Sequence, residues 1–189
     1  EADVYLLESL KVAEELKDKK LEASIRVNLG NLLVGWGNYE DAVWNYNEAV
    51  KHADAAGDHA RGAQCRIGMA TAAAFHGSME LASRYAAKAD ENITAVKDGK
   101  KKALLHIKLG DVYSRMMDAA PDREQSGAYL VKGGEQYRKS IAEARKAGDE
   151  ASQAYSLGFL AGLYETEGRY AEALQLSRAA LDLAQKNSL

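Results

Sequence analysis

A single pattern of small and aromatic residues recurs along this chain. Its first copy contains Leu29-Gly30, Gly37, Tyr39, Ala42, Tyr46 and Ala49, and its last copy contains Leu160-Ala161-Gly162, Gly168, Tyr170, Ala173, Ser177 and Ala180. Within each copy the apolar residues fall three and four positions apart, which is the spacing of one face of an α-helix. Repetition of this kind is typical of stacked helix pairs, an architecture that presents a surface for binding.

The copies divide the chain into half a helix pair and four complete pairs. The predicted boundaries are 1–19 for the half pair and 20–58, 59–99, 100–149 and 150–187 for the pairs. Gly57-Asp58, Asp98-Gly99 and Gly148-Asp149 separate them, because glycine accepts the left-handed conformation of a helix end and aspartate caps the next helix. In this scheme Gly68 takes the place of Gly30, and Gly35 and Gly37 end the first helix of the first pair.

These boundaries predict an all-α fold: a right-handed α-solenoid of antiparallel helix pairs, with about nine helices in a single domain. The helical pattern is already under way at Glu1 and no initiator Met precedes it. We therefore expect the chain to be a fragment of a longer protein.

The third pair is longer than the others. Ala42 and Ala82 are 40 residues apart, as are Gly133 and Ala173, whereas Ala82 and Gly133 are 51 apart. The extra residues lie within 116–127, around Pro121, which favours the first turn of a helix. The pair is expected to have either a longer loop or an extended second helix.

The repeat resembles the tetratricopeptide family over nearly the whole chain. The resemblance rests on the Leu-Gly pair, the Gly before a Tyr, and the Ala-aromatic-Ala series quoted above. The Trp that the family carries early in the first helix is replaced by Arg26, Gln64, His106 and Leu157, and the family's terminal Pro is missing. The period of about 40 with Gly-Asp between repeats is similar to variants in bacterial multidomain sensors and Asn-rich scaffold proteins.

A narrower resemblance covers residues 147–185. It rests on Ala147-Gly148-Asp149, the run from Ala154 to Gly168, Ala173-Leu174-Gln175-Leu176 and the run from Ala180 to Gln185. On these residues the segment is similar to the repeat region that precedes the caspase-like domain of bacterial CHAT proteins. The resemblance implies a module within a larger multidomain bacterial protein.

Composition argues against several kinds of partner. Charged residues make up 28% of the chain and the net charge is -3, so no basic face for nucleic acid and no polybasic patch for anionic lipid is indicated. No stretch approaches the ~20 apolar residues of a membrane span and no signal peptide is visible. The single Cys excludes an internal disulfide framework and fits a reducing, cytoplasmic location.

The sequence offers no convincing catalytic site, so we expect a non-enzyme without cofactor or metal. Cys65, in Gln64-Cys65-Arg66, superficially resembles a caspase nucleophile motif, but its helical surroundings favour a packed thiol. The histidines lack metal-ligand spacing on one helix face. They are His52, His59, His76 and His106.

The resemblance implies that the first helix of each pair lines a concave groove that binds an extended peptide or a partner's helix. The predicted groove residues are Asn28, Asn31, Arg66, Met69, Lys108, Asp111, Tyr155 and Phe159. The amide of Asn31 has both a donor and an acceptor for a peptide backbone, and Asn28 would extend the ladder. Arg66 and Lys108 are candidates to meet a carboxylate, although the set for a carboxylate clamp is only partial. The alternative is that Asn28 and Asn31 merely hydrogen-bond a neighbouring helix.

Two other functions remain open at this stage. The solenoid is expected to self-associate weakly, or to act as a spacer, if the end beyond Leu181 lacks a polar cap. Repeat domains of this kind also serve as small-molecule sensors. The identity of a protein or peptide partner does not follow from the residues.

Overall fold

The fold is all-helical, as the repeat pattern predicts. A computed structural model describes residues 2–186, and within them the structure contains nine α-helices and no strands. The helices are α1 (Ala2–Glu15), α2 (Lys19–Gly35), α3 (Tyr39–Ala55), α4 (His59–Phe75), α5 (Met79–Ala95), α6 (Gly99–Asp118), α7 (Arg123–Ala147), α8 (Glu150–Thr166) and α9 (Tyr170–Lys186). Helices that follow one another within each pair pack together, which gives a helical-repeat, solenoid-like fold.

The chain divides into two compact units. Unit 1 comprises residues 1–95 and contains α1 to α5, and unit 2 comprises residues 96–189 and contains α6 to α9. Each unit has its own core of buried residues. In unit 1 the core is built around Tyr46, Cys65 and Met69, and in unit 2 around Tyr137, Leu160 and Leu163.

Aspartates begin the first helix of every pair. The side chains of Asp18, Asp58, Asp98 and Asp149 accept hydrogen bonds from backbone N–H groups in the first turns of α2, α4, α6 and α8. These groups have no partner within the helix, so the caps fix where each helix starts.

Glycines in the left-handed conformation end most of the helices. Gly37, Gly57, Gly77, Gly148 and Gly168 all have φ between 63° and 82°. At the turn between α1 and α2 a lysine, Lys17, takes the same conformation with φ 55°. Gly35 lies inside α2, so Gly37 alone is the left-handed residue of that turn.

Asp98-Gly99 does not stop a helix, contrary to the sequence prediction. Helix α5 ends earlier, at Ala95, and Asp98 caps α6, of which Gly99 is the first residue. A Cβ atom at Gly99 would lie 3.1 Å from Cβ of Ala147, so this glycine permits the start of α6 to approach the end of α7.

The extra length of the third pair is helical. Helix α6 has 20 residues and α7 has 25, whereas α2, α3, α4, α5, α8 and α9 have 17 each. Of the two alternatives left open by the sequence, the extended helix is therefore confirmed. Pro121 lies before the N-cap residue Asp122 instead of inside the first turn of α7.

Backbone strain at the turns can be measured by paired substitutions. Gly57→Ala is expected to lower the free energy of unfolding by about 1 kcal/mol, because φ is +64° there and a side chain disfavours that conformation, although no atom lies within 4 Å of the new Cβ. Lys17→Gly should raise it by up to about 1 kcal/mol for the converse reason. Urea unfolding measures both changes.

The matched control is Gly127→Ala, which lies inside α7 in similarly open space. Here alanine should stabilise by about 0.5–1 kcal/mol, because the helical conformation suits it better than glycine. A loss of stability at both glycines would contradict the assignment of strain to Gly57 alone.

Candidate functional site

In unit 1 a tyrosine of the second helix lies between two glycines of first helices. Tyr46 on α3 is 2% exposed, and a Cβ atom at Gly30 or Gly68 would lie 2.6 or 2.5 Å from its ring. Both glycines are thus required for the ring to fit. The Tyr46 hydroxyl emerges between α2 and α4 and donates a hydrogen bond to Oδ1 of Asn31 at 2.7 Å.

Unit 2 repeats this arrangement with two changes of residue. Tyr137 on α7 is 1% exposed and packs on Gly110, where a Cβ atom would lie 2.5 Å from the ring. Its hydroxyl donates to Oδ1 of Asp111 at 2.8 Å. On the side where Gly68 contacts Tyr46, the ring of Phe159 stacks on Tyr137 at 5.4 Å between centroids.

The N-cap aspartates give a more reliable alignment of the repeats than the Leu-Gly pair. Counted from Asp58, the residue equivalent to Gly30 is Ala70, and Gly68 is equivalent to Asn28. The alignment of Gly68 with Gly30 was therefore wrong by two residues. Ala70 carries a Cβ because the second helix of its pair presents Ala86, and both alanines are fully buried.

This shift changes the position of Arg66. Arg66 is equivalent to Arg26 and His106, so it takes the place that the sequence alignment assigned to Gln64. Its guanidinium makes a bidentate pair with Asp54 on α3, at 3.1 and 2.7 Å, and donates to Asn92 on α5 at 2.8 Å. Arg66 therefore joins three helices of unit 1 by hydrogen bonds, and we call such a group of polar side chains a polar clasp.

The equivalent residues form similar polar clasps. Arg26 is buried and bonds Glu22, which also contacts His52 on α3. Burial opposes ionisation of Glu22, but hydrogen bonds from Lys19, Arg26 and His52 outweigh it and lower its pKa to about 2. In unit 2, Nδ1 of His106 hydrogen-bonds to Oε1 of Gln136 at 2.7 Å.

Met69 and Cys65 lie in the core of unit 1. Met69 is equivalent to Leu29 and is 5% exposed, so the structure places this predicted groove residue inside the protein. Cys65 is fully buried, and this burial raises the pKa of its thiol to about 12. A thiol with that pKa is protonated at neutral pH, which does not suit a nucleophile.

Four predicted or equivalent polar residues on α2 and α4 are exposed or half-buried. Asn28 and Asn31 lie on the solvent side of α2. On α4, Gln64 is exposed and Thr71 is half-buried, and their spacing places them on the same side as Gly68. We call Asn28, Asn31, Gln64 and Thr71 the unit 1 face. The hydrogen bond from Tyr46 uses the Asn31 oxygen and turns its amide NH₂ away from the core.

Four predicted residues form a surface in unit 2. Lys108 and Asp111 lie one turn apart on α6, and Tyr155 and Phe159 one turn apart on α8. Tyr155 is 64% and Phe159 44% exposed. The Tyr137 side chain joins the two helices, because it hydrogen-bonds Asp111 and stacks on Phe159. We call Lys108, Asp111, Tyr155 and Phe159 the unit 2 face.

An open apolar cavity of about 620 Å³ adjoins the unit 2 face between α8 and α9. Its lining is Ala151, Ala154, Tyr155, Gly158, Phe159, Ala180, Leu181 and Ala184. In the α2–α3 pair the equivalent surface is covered by another helix, α4. There the equivalent residues Val27, Ala49 and Val50 are buried, because Cys65 and Met69 of α4 pack against them.

Within residues 2–186, no group of three or more His, Cys, Asp or Glu side chains is placed to hold a metal ion. In the same residues no helix combines the length and the apolar character needed to cross a bilayer.

The Asp111–Tyr137 bond predicts a pH dependence of stability. Burial raises the pKa of Asp111, although the hydrogen bond from Tyr137 opposes the rise. Ionisation of Asp111 thus costs stability, and the stabilising contribution of its protonated form is lost as pH rises through the folded pKa. Asp111→Asn keeps the acceptor for Tyr137 and removes the charge, so it should be at least as stable as the wild type at neutral pH.

The advantage of Asp111→Asn should shrink as pH falls to about 3, where the wild-type carboxyl is protonated. Chemical unfolding across that range measures it. Tyr137→Phe is the control, because it removes the hydroxyl donor and should destabilise at neutral pH. An Asn variant that is less stable than the wild type at neutral pH and equal to it in acid would show that the charge itself stabilises unit 2.

The comparisons with known proteins bear on the fold. No family model matches the chain, and no curated protein matches it. Among solved structures it is similar to BtubC (BKLC) from P. vanneervenii, with a TM-score of 0.73 and 20% sequence identity over 99% of this chain and 73% of that one. At this identity the similarity concerns the fold alone, which is an all-helical repeat.

Proposed function

We propose that this protein is a partner-binding module of the tetratricopeptide type that holds a peptide or a partner's helix on the exposed faces of its first helices. The observation that carries the proposal is the unit 2 face, where Tyr155 and Phe159 are exposed side by side. Aromatic side chains of this kind dominate the binding energy of protein interfaces.

The supports beneath these aromatics favour binding. Phe159 is held by stacking on buried Tyr137, so little side-chain entropy remains to be lost when a partner covers it. Lys108 adds an exposed cation beside the apolar surface. The face is suited to a peptide that presents an apolar side chain next to a carboxylate.

The unit 1 face supports the same function with different chemistry. Asn28 and Asn31 provide amide groups, which pair with a peptide backbone regardless of its sequence. Arg66 and Met69 do not take part, because Arg66 is engaged by Asp54 and Asn92 and Met69 is buried. We therefore expect Lys108 in unit 2, and not Arg66, to contact a carboxylate of the partner.

Selection of peptides from a displayed random library tests the proposal. Peptides that bind the full chain should bind Tyr155→Ala at least about ten-fold more weakly, the loss expected for a central aromatic in an interface. Lys108→Ala should weaken those peptides that contain Asp or Glu, and Asn28→Ala should weaken those peptides that bind the unit 1 face.

The matched control is Tyr170→Ala, since Tyr170 is 72% exposed but lies on α9 outside both faces. It should leave affinity unchanged. Failure to enrich any peptide, or equal binding by the Tyr155 and Tyr170 variants, would contradict the proposal. Binding is measured by fluorescence anisotropy.

A second function is favoured by the cavity between α8 and α9. The equivalent surface of α2 and α3 is covered by a helix of the same chain, so we propose that a second copy of the protein supplies a helix here and the chain self-associates. Leu181 contributes a large exposed side chain to this surface.

Self-association predicts a mass that rises with concentration in sedimentation equilibrium. Leu181→Lys should raise the Kd of the dimer about ten-fold or more, because it places a charge in an apolar contact. Leu174→Lys is the control, since Leu174 is similarly exposed on α9 but does not line the cavity. A monomer at all concentrations would contradict self-association and leave peptide binding untouched.

A further inference from the structure

Unit 1 contains a second cavity that is not part of either face. It has a volume of about 340 Å³ and lies among α3, α4 and α5. Its lining is Tyr39, Glu40, Val43, Ala72, Ala73, His76, Ser78, Leu81 and Tyr85. The volume falls within the roughly 300–1,000 Å³ that small-molecule pockets have. The α4 residues that line it lie on a different side of that helix from Gln64 and Thr71.

The chain itself shows what fills the equivalent space in unit 2. Helices α8 and α9 repeat α4 and α5 with the same lengths, the same aspartate cap and the same left-handed glycine. In this alignment Ala73 corresponds to Tyr164 and Ser78 to Arg169. Tyr164 packs against the unit 2 core, and the Arg169 guanidinium lies over its ring at 3.8 Å.

Carboxylates hold the cation of unit 2 in place. Arg169 donates to Glu172 at 2.6 Å and to Glu167 at 3.0 Å. In unit 2 these two positions thus carry an aromatic ring packed on the core and an exposed cation over that ring, which carboxylates neutralise. Unit 1 has short side chains at both positions, and its cavity is the volume that they leave. The carboxylates of unit 2 are not repeated in unit 1, because His76 and Leu81 take the places of Glu167 and Glu172.

The lining of the unit 1 cavity supplies other groups that suit a cation. Tyr39 and Tyr85 supply aromatic surface, and Tyr39 is fixed by stacking on Phe75 at 5.9 Å between centroids. Glu40 supplies a carboxylate, and among the described lining residues the one basic side chain is His76, which lies edge-on to the Tyr39 ring. Aromatic rings and a carboxylate together favour a cation over an anion.

We propose that this cavity binds a small organic cation: an ammonium or guanidinium group on a short apolar body. The apolar body lies against Val43, Leu81 and the Tyr85 ring, where Ala73 leaves room. The cation faces Glu40 at the mouth. This site goes beyond the proposed partner binding, because it uses other helices and other residues.

The test is a titration of the full chain with phenethylamine, followed by calorimetry and by ¹H–¹⁵N NMR. Phenethyl alcohol is the neutral analogue of the same shape. We expect saturable binding of the amine that Glu40→Gln weakens about ten-fold, as for loss of a charged hydrogen-bond partner, and weaker binding of the alcohol that Glu40→Gln does not change. Shifted amide signals should come from α3, α4 and α5.

Two variants fill the cavity by the precedent of unit 2. Ala73→Tyr should abolish binding by occupying the space, and Ser78→Arg should abolish it by supplying a cation of the protein's own. Circular dichroism confirms that each variant is folded, and if Ala73→Tyr does not fold, Ser78→Arg alone decides. A parallel titration with Nα-acetyl-lysine methylamide tests whether the cation belongs to a free amine or to a basic side chain of a peptide. Whichever of the two compounds resembles the ligand more closely should bind the cavity more tightly.

The matched controls are Glu80→Gln and Ala55→Tyr. Glu80 has the same place in the first turn of α5 that Glu40 has in α3 but does not line the cavity, and Ala55 is exposed at the far end of α3. Neither should alter the affinity. Equal affinity for amine and alcohol, binding that survives both filling variants, or no saturable binding would overturn the proposal. None of these results would affect peptide binding at Tyr155.

Discussion

The contact on which both units depend is that of a buried tyrosine ring with the backbone of a glycine. A methyl group on Gly30 would collide with the ring of Tyr46, and one on Gly110 would collide with the ring of Tyr137. The ring therefore sets the distance between the first and second helix of its pair, and its hydroxyl reaches the opposite side, where it bonds Asn31 or Asp111. A core contact thus fixes the orientation of a surface group. Each face is therefore prearranged, because a hydroxyl from a buried tyrosine fixes the orientation of one of its polar side chains.

Small residues make room, and polar clasps fix the helices in that room. Alanines fill much of the unit 1 core, where side chains lose no rotamer freedom on burial but give little directional preference. The Arg66–Asp54–Asn92 and Arg26–Glu22–His52 groups supply that preference by joining three helices and two helices respectively. A Cβ at Gly62 would lie 3.0 Å from Nη1 of Arg66, so a further glycine is part of the same clasp. In the buried Arg26–Glu22 pair, removing one partner costs more than the bond contributes, which makes that contact specific.

The sequence predicted the helices well because caps and periodicity are local. The Asp58 cap and the left-handed Gly57 could be inferred from neighbouring residues, whereas the extended second helix of the third pair was one of two alternatives that the spacing left open. The site was harder to predict because it depends on alignment between repeats. Gly68 follows the Leu-Gly pattern only loosely, and aligning it with Gly30 placed Arg66 and Met69 on the exposed side. The aspartate caps, spaced 40 residues apart at Asp18, Asp58 and Asp98, carry the correct alignment and were legible in the sequence. By contrast, the bidentate Arg66 pair joins residues whose proximity no local pattern encodes.

With the repeats in correct alignment, differences between copies become informative. Helices α8 and α9 repeat α4 and α5 in length and in the turn between them, so a position that is large in one pair and small in the other differs through its side chain. Leu163 and Tyr164 close in unit 2 the space that Ala72 and Ala73 leave open in unit 1, and α4 covers on α2 and α3 the surface that α8 and α9 expose. Each occupied copy shows which chemistry the fold accepts at that place. Repetition therefore supplies, within one chain, the comparison that bound ligands or partners would otherwise provide. We then expect ligands and partners to bind at positions where the copies differ. Positions that the copies share, such as Tyr46 and Tyr137, pack the helices against one another.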